Sequence, residues 1–188
     1  MIEIGCHDCF KDFVEEGVTP PAMSEQRIIK NFFTGLFHDL PEAVTRDIIS
    51  PVKQATADLP NIVKKIEDEI VNKELVPLME SFFVDDLMYY TGNEFAYRII
   101  NEQSIVQEVS WEDLNTVFAS DKYSPVDGKL VRVADHISAL MEADISIKHG
   151  ITSAHLESGR YNLLESYRGK VVNGIEAGKL FDEITGNK

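Results

Sequence analysis

The chain has 188 residues, of which 44% are hydrophobic and 27% charged, and its formal net charge is −14. This length suits one domain that buries about 70% of its unfolded surface. The negative charge argues against a broad surface for nucleic acid or anionic membrane, which requires excess Lys and Arg. The sequence has neither a run of roughly 20 apolar residues nor a secretory signal at its start, so the predicted location is cytoplasmic.

The cysteines of the chain, Cys6 and Cys9, form a C-x-x-C motif around His7 and Asp8. Such a motif is half of a zinc site or a redox pair. No second cysteine pair or His-x-x-x-His follows it, and no βαβ pattern surrounds it. We therefore expect two reduced thiols.

Hydrophobic spacing predicts helices in the first third of the chain. Residues 1–16 are typical of a helix tail, which Gly17 and the following prolines end. Ser24 predicts an N-cap, and apolar residues at 28, 29, 32, 33, 36 and 37 predict a buried helix that ends at His38-Asp39. Pro41 predicts a bend there, followed by a helix from Glu42 to about Ile49.

Further helices are predicted at 59–79, 80–90, 129–148, 153–167 and 172–184, with short helical candidates at 95–100 and 111–118. No segment alternates in the manner of a convincing strand, and no internal repeat is visible. The predicted fold class is therefore all-α.

Two places carry chemistry. At His38-Asp39 an imidazole adjoins a carboxylate, and Glu42, Arg46 and Asp47 follow within two helical turns. Such a group can supply metal ligands, a proton-transfer group and a cation for an anionic substrate. Farther along, Asp135 puts a carboxylate on a helix whose other face is apolar, which costs free energy unless the carboxylate is paired or ligated.

The stretches HDLPEAVTRDIISPVK, from His38, and PVDGKLVRVADHISALMEA, from Pro125, resemble the HD phosphohydrolase superfamily. Within it they resemble the bacterial 5'-deoxynucleotidase branch. The resemblance covers about Phe32 to Gly150 and implies an HD-domain helical bundle, with residues 1–188 as a single domain. It also implies hydrolysis of a small phosphomonoester, a (deoxy)nucleoside 5'-monophosphate in that branch.

The resemblance implies that His38, Asp39 and Asp135 are ligands of a divalent metal ion. Mixed imidazole and carboxylate ligands suit several ions, so Mn, Co, Mg, Fe, Ni and Zn are not distinguished. In such enzymes the metal acidifies bound water and polarises the phosphoryl group.

For the chemistry beside the metal, the resemblance implies that Glu42 handles the proton and Asp47 positions water or the nucleotide sugar. From charge and proximity we infer that Arg46 and Lys53 neutralise phosphate oxygens. Each role has a structural alternative: Glu42 is also favoured by the helix dipole at a first turn, and Arg46 can pair with Glu42 at i,i+4.

The other histidines after His38 are His136, His149 and His155. They are expected to be surface or capping residues rather than ligands. His136, which follows Asp135 directly, has the further alternative of orienting a metal ligand.

The sequence departs from the superfamily pattern at one place. These enzymes normally carry another histidine ligand on a helix before the motif helix. Here His7 is the single upstream histidine, and its neighbours do not resemble that helix. We expect that the chain begins about one helix late, that the site is incomplete, or that His7 substitutes.

The alternative function is a catalytically weak or inactive HD module that acts as a nucleotide sensor or interaction domain. Other HD branches fit less well, because HDLPEAVT lacks the Glu-Asp pair of alarmone hydrolases and the chain lacks the Gly-Tyr-Pro signature of cyclic-dinucleotide hydrolases. The acidic surface is compatible with a monomer or a homodimer.

Overall fold

A computed structural model of the chain describes residues 23–45 and 59–186. The predicted helix at 1–16, the C-x-x-C motif and the predicted site residues Arg46, Asp47 and Lys53 lie outside the described residues. Contacts group the chain into two compact units: the larger unit is Pro21–Val131, and the smaller unit is Met1–Pro20 with Arg132–Lys188. The fold is mostly helical with one small sheet, which confirms the predicted class.

Helices form the first part of the larger unit. Helix α1 is Glu25–Phe37, and the side chain of Ser24 caps it by accepting a hydrogen bond from the backbone N–H of Arg27 at 3.1 Å. Helix α2 is Glu42–Thr45, α3 is Leu59–Ile70 and α4 is Ser81–Thr91. Between α3 and α4 the chain forms a π-helical turn, Val71–Leu75, and a 3-10 turn, Val76–Leu78.

The rest of the larger unit contains an antiparallel sheet of three short strands in the order β2-β1-β3. Strand β1 is Tyr97–Ile100, β2 is Val106–Glu108 and β3 is Val126–Asp127. Helix α5, Trp111–Asn115, and a 3-10 turn, Asp121–Tyr123, connect β2 to β3.

The predicted helix at 95–100 is therefore wrong. Residue Arg98 lies opposite Glu108 on one side and Val126 on the other, so its strand is held by pairing with both neighbours. Four residues are too few to show a hydrophobic period, so pairing with the neighbouring strands decides their conformation. The helical candidate at 111–118 is confirmed for its first five residues only.

Two apolar clusters lie in the described part of the larger unit. In one, the rings of α1 pack on α4: Phe33 and Phe37 stack against Tyr90 with centroids 5.7 and 6.2 Å apart. In the other, β1 packs on α5, and it is built around Tyr97, Ile99 and Leu114. The helix that ends at His38 is thus fixed by aromatic stacking on one of its faces.

The prediction that α1 is buried along its whole apolar pattern is wrong. Among its apolar residues, Ile28, Ile29, Phe32 and Leu36 are exposed. The fully buried positions of the helix are instead polar, Arg27 and Thr34.

The described part of the smaller unit is helical. Helix α6, Gly128–Lys148, begins in the larger unit, and the division between the units falls within it after Val131. Helix α7, Ala154–Tyr167, is capped by Ser153, and α8 is Ala177–Thr185. The predicted helices at 129–148 and 153–167 are confirmed, whereas the last one starts five residues later than predicted, after a bridge between Val172 and Ile175.

Helices α7 and α8 pack through the stacked rings of Tyr167 and Phe181, whose centroids are 4.2 Å apart. Gly178 allows this approach, since a Cβ there would come closer than 3.0 Å to the backbone of Tyr167. Among the described helices, none is long and apolar enough to cross a membrane.

Candidate metal centre

The His38-Asp39 pair sits where helix α1 ends. His38 is the C-cap residue of the helix, and the next residues form a hydrogen-bonded turn in which the N–H of Leu40 donates to the carbonyl of Phe37 at 2.9 Å. The N–H of Glu42 then donates to the carbonyl of Asp39 at 2.9 Å and begins α2. The predicted end of the first helix at His38-Asp39 and the predicted start of the next at Glu42 are confirmed.

Helix α1 favours a cation at this end. The carbonyl end of the helix points toward His38, and the aligned peptide dipoles place roughly half a negative charge there. No basic residue occupies the last turn of the helix. A positively charged ligand beside His38 would therefore gain from the helix dipole as well as from its direct ligands.

The two nitrogens of the His38 ring have distinct partners. Nδ1 lies 2.9 Å from the carbonyl oxygen of Gly35, one turn earlier in α1. Because a carbonyl oxygen can only accept, Nδ1 must carry a proton. In the neutral ring this leaves the lone pair on Nε2, which is the usual arrangement for a histidine that binds metal.

Nε2 of His38 lies 3.0 Å from Oδ2 of Asp39. A lone pair and a carboxylate oxygen at this distance repel each other unless a proton or a metal cation lies between them. Two ligands of one ion, each about 2.1 Å from it and at a right angle, are themselves about 3.0 Å apart. The chemistry and spacing of the pair therefore fit a divalent metal.

Burial differs between the two side chains. The His38 side chain is 13% exposed and lies edge-on to the ring of Phe95, with centroids 5.7 Å apart, whereas the Asp39 side chain is 64% exposed. The imidazole is thus held in place by its surroundings, while the carboxylate stays accessible from outside. Such a pair can bind an ion without closing off its other coordination positions.

Asp135 lies on helix α6, two turns after its start. Its carboxylate is half-buried and lies 3.9 Å from the guanidinium of Arg132. The role of Asp135 as a third ligand beside His38 and Asp39 stays a prediction. The histidine and carboxylate donors suit the transition-metal and magnesium class of ions.

His136 follows Asp135 and shares a hydrogen bond of 2.8 Å with the hydroxyl of Tyr167 on α7. Burial lowers the pKa of His136 to about 4, a shift that Asp135 opposes and Arg132 assists. The ring is therefore neutral near pH 7. Its hydrogen bond to Tyr167 links α6 to α7, and an orienting role for His136 stays a prediction.

Glu42, His149 and His155 are the remaining predicted residues that the structure describes. Glu42 is half-buried at the first position of α2, three residues after Asp39. Of the other histidines, His149 lies directly after α6 and donates from Nδ1 to the carbonyl of Ile145 in that helix, as expected for a capping residue, and His155 is exposed.

A buried polar network that the sequence did not indicate joins α1 to β3. The carboxylate of Asp127 accepts hydrogen bonds from Arg27 Nε at 2.7 Å, from Arg27 Nη2 at 2.5 Å and from Asn31 Nδ2 at 2.8 Å. The N–H of Asp127 donates to Asn31 Oδ1 at 2.8 Å, and Arg27 also reaches Asn115 at 3.0 Å. The network fixes the helix of His38 against the strand that leads directly into α6.

Gly128 begins α6 at a point of very close backbone approach. A Cβ at this position would lie closer than 3.0 Å to the backbone of Phe95 and Ala96. Only glycine fits this distance. The residue before Gly128 belongs to the Asp127 network, so both sides of the entry into α6 are constrained.

Arg98 on β1 is a second buried cation that the sequence did not indicate. It is 0% exposed, and its guanidinium donates to the carbonyls of Tyr89, at 2.6 Å, and Gly92 at the end of α4. It also lies 4.9 Å from the centre of the Tyr89 ring. These contacts neutralise the carbonyl end of α4, a structural role.

An adjacent His-Asp pair at the carbonyl end of a helix, in a mostly helical protein with an aspartate on a later helix, defines a candidate metal-dependent helical protein. In the comparison with protein families, the family model described as an HD domain matches residues 14–164. The chain therefore belongs to the HD domain family. Proteins of this family are generally metal-dependent phosphohydrolases and bind divalent metals. No curated protein and no solved structure is significantly similar to the chain.

Proposed function

We propose that the chain is a metal-dependent phosphohydrolase that releases phosphate from a small phosphomonoester, with (deoxy)nucleoside 5'-monophosphates as the substrate class. The observation that carries the proposal is the His38-Asp39 pair, whose ring tautomer and 3.0 Å spacing suit two ligands of one cation. The nucleotide class rests on the resemblance of the stretch from His38 to Lys53 to the 5'-deoxynucleotidase branch.

In this proposal His38, Asp39 and Asp135 hold the ion. A bound divalent ion lowers the pKa of water and polarises a phosphoryl oxygen, which is the chemistry that such hydrolysis requires. The 64% exposure of the Asp39 side chain leaves room for substrate and water on that side of the pair.

The neighbouring residues act on protons and phosphate. Glu42, on the turn after Asp39, accepts a proton from the attacking water and returns it to the leaving alcohol. Asp47 positions water or the nucleotide sugar. Arg46 and Lys53 neutralise the phosphate oxygens, which a chain of net charge −14 would otherwise repel.

The test combines metal content with phosphate release by the purified protein. We expect retention or binding of a divalent ion, and release of inorganic phosphate from deoxynucleoside 5'-monophosphates when Mn²⁺, Co²⁺ or Mg²⁺ is supplied. His38→Ala and Asp39→Ala should each abolish both properties. His149→Ala, which removes a histidine bonded to the last turn of α6, and Asp85→Ala, at an exposed position of α4, are matched controls that should change neither.

A second candidate is a nucleotide-sensing HD module without turnover. It is favoured by the sequence around His7, the single histidine before His38, whose neighbours do not resemble the superfamily's additional ligand helix. Nucleotide binding without phosphate release at every divalent ion tested would favour this candidate. Failure of the protein to bind any divalent ion would contradict the enzymatic proposal.

A further inference from the structure

A cavity of about 460 Å³ lies between α3, the end of α4 and the sheet of the larger unit. This volume is in the range of pockets that bind small organic molecules. Every residue that lines it lies between Lys64 and Val106, a span that contains none of the predicted site residues. The cavity therefore needs an explanation other than the candidate metal centre.

Arg98 lines this cavity and carries a buried charge. The residue is 0% exposed, and its guanidinium donates to the carbonyls of Tyr89 and Gly92 and approaches the hydroxyl of Thr34 at 3.5 Å. The Nε–H group is buried and has no hydrogen-bond partner. Within the described part of the chain, no carboxylate forms an ion pair with Arg98. Buried charges are normally paired, because an unpaired one costs free energy.

The electrostatic surroundings of Arg98 lead to the same conclusion. Burial lowers the pKa of Arg98, and the opposing effects of Tyr89, Glu94 and Glu108 do not cancel this shift. Both glutamates act from beyond the distance of an ion pair. The charged guanidinium would therefore gain from an anion placed closer to it.

A second cation reaches the same end of α4. Lys64 lies on α3, and its ammonium group donates to the carbonyl of Thr91 at 3.0 Å. The next carbonyl along the chain, that of Gly92, is bound by Arg98. The carbonyl end of a helix carries roughly half a negative charge, so it does not balance the two positive charges that meet there.

One carboxylate in the lining offsets part of this charge. Asp68 lies 3.6 Å from the ammonium group of Lys64, beyond hydrogen-bond distance, and its side chain is 50% exposed. Glu108 accepts a hydrogen bond from Asn93, but it does not line the cavity. The lining thus contains two cations and one anion, which is an excess of positive charge in a chain of net charge −14.

We propose that this cavity binds a small organic anion, whose carboxylate or phosphate group contacts Lys64 and balances the buried charge of Arg98. Such oxyanions form strong hydrogen bonds with ammonium and guanidinium groups. An ammonium group has three hydrogens to donate, and the hydrogen bond to Thr91 uses one of them. The apolar part of the anion lies against Met88 and Val106, which also line the cavity. The proposal uses no group of the candidate metal centre, so it holds or fails independently of phosphomonoester hydrolysis.

The Nε–H group of Arg98 offers a direct readout, because its NMR signal changes when an anion binds beside it. Isotope-labelled full-length protein is titrated with inorganic phosphate, and separately with acetate, at constant ionic strength and in the presence of EDTA. The Arg98 signal is assigned through bonds to its own backbone. We expect it to shift in a saturable way with at least one of the two anions. The anion that binds more tightly identifies the charged group of the ligand as phosphate or carboxylate.

Substitutions on α3 locate the bound anion. Lys64→Met keeps most of the side-chain length and removes the ammonium group, so it should weaken binding about tenfold or more, as expected for the loss of one charge-assisted hydrogen bond. Lys65→Met makes the same change at the exposed neighbouring position and should leave the affinity unchanged. His38→Ala should also leave it unchanged. Circular dichroism establishes that each variant is folded.

Three results would overturn the proposal. One is the absence of a saturable shift with either anion up to about 50 mM, a concentration well above millimolar dissociation constants. Another is an affinity that Lys64→Met leaves unchanged or that Lys65→Met lowers equally, which would show an adventitious ion only. Loss of binding in His38→Ala would assign the anion to the candidate metal centre.

Discussion

The buried pair of Arg27 and Asp127 gives the sharpest prediction for the fold around the candidate centre. Asp127→Asn keeps the shape of the side chain but removes the charge that balances Arg27, whose side chain is only 3% exposed. Removing one partner of a buried ion pair costs about 3–5 kcal/mol. Since domains of this size unfold with about 5–15 kcal/mol, we expect a large loss of stability.

Urea unfolding followed by tryptophan fluorescence suits this measurement. Trp111 is the single tryptophan of the chain, and its ring lies 5.5 Å from Tyr97 in the larger unit, so its signal reports the unit that contains the pair. The control is Glu74→Gln in the exposed pair of Lys73 and Glu74, which lies in the same unit and should cost no more than about 1 kcal/mol.

A double-mutant cycle separates the pair from its surroundings. Arg27→Met combined with Asp127→Asn should cost less than the sum of the single changes, by at least about 1 kcal/mol, because the second change removes the uncompensated charge. If Asp127→Asn costs no more than the exposed control, or if the two changes are additive, the charges of Arg27 and Asp127 do not stabilise each other in the folded protein.

Two further predictions concern backbone space and pH. Gly128→Ala puts a Cβ closer than 3.0 Å to neighbouring backbone and should lower the free energy of unfolding by about 1–3 kcal/mol. In contrast, the Cβ added by Gly35→Ala inside α1 meets nothing within 4 Å, so this change should raise the free energy of unfolding by about 0.5–1 kcal/mol. Thermal melts that rank the two variants in the opposite order would contradict this. Burial raises the pKa of Asp144, but hydrogen bonds from Lys148 and Arg160 outweigh it and leave the pKa below its usual range. The Asp144 carboxylate therefore stabilises the fold above its unfolded pKa, and this stabilisation is lost as the pH falls through its folded pKa. Asp144→Asn should make the free energy of unfolding depend less on pH below about pH 4.

The sequence predicted α1 and its ends well because those signals are local. Ser24 caps the helix, which ends at His38 as predicted. Which side of α1 is buried was less predictable. Its apolar pattern indicated burial at Phe32, which is 64% exposed, while the buried Arg27 depends on a carboxylate 100 positions away in the chain.

The sheet could not be predicted because it also depends on contacts between residues far apart in the chain. Strand Tyr97–Ile100 is stabilised by partners at 106–108 and 126–127, and it is too short to show a period of its own. For the candidate centre, the adjacent His38-Asp39 pair was visible in the sequence, whereas the ring tautomer required the position of the Gly35 carbonyl. Arg46, Asp47 and Lys53 stay predictions.

The small sheet also determines where this domain can accept additional sequence. Its central strand carries Arg98 and Ile99, both 0% exposed, while β2 and the turn before it, residues 102–108, are exposed throughout. Exposed turn tips tolerate insertions that buried strands do not. A fluorescent or affinity label inserted near Gln103 should therefore leave the fold intact, which would allow metal and nucleotide binding to be followed without touching the helix of His38.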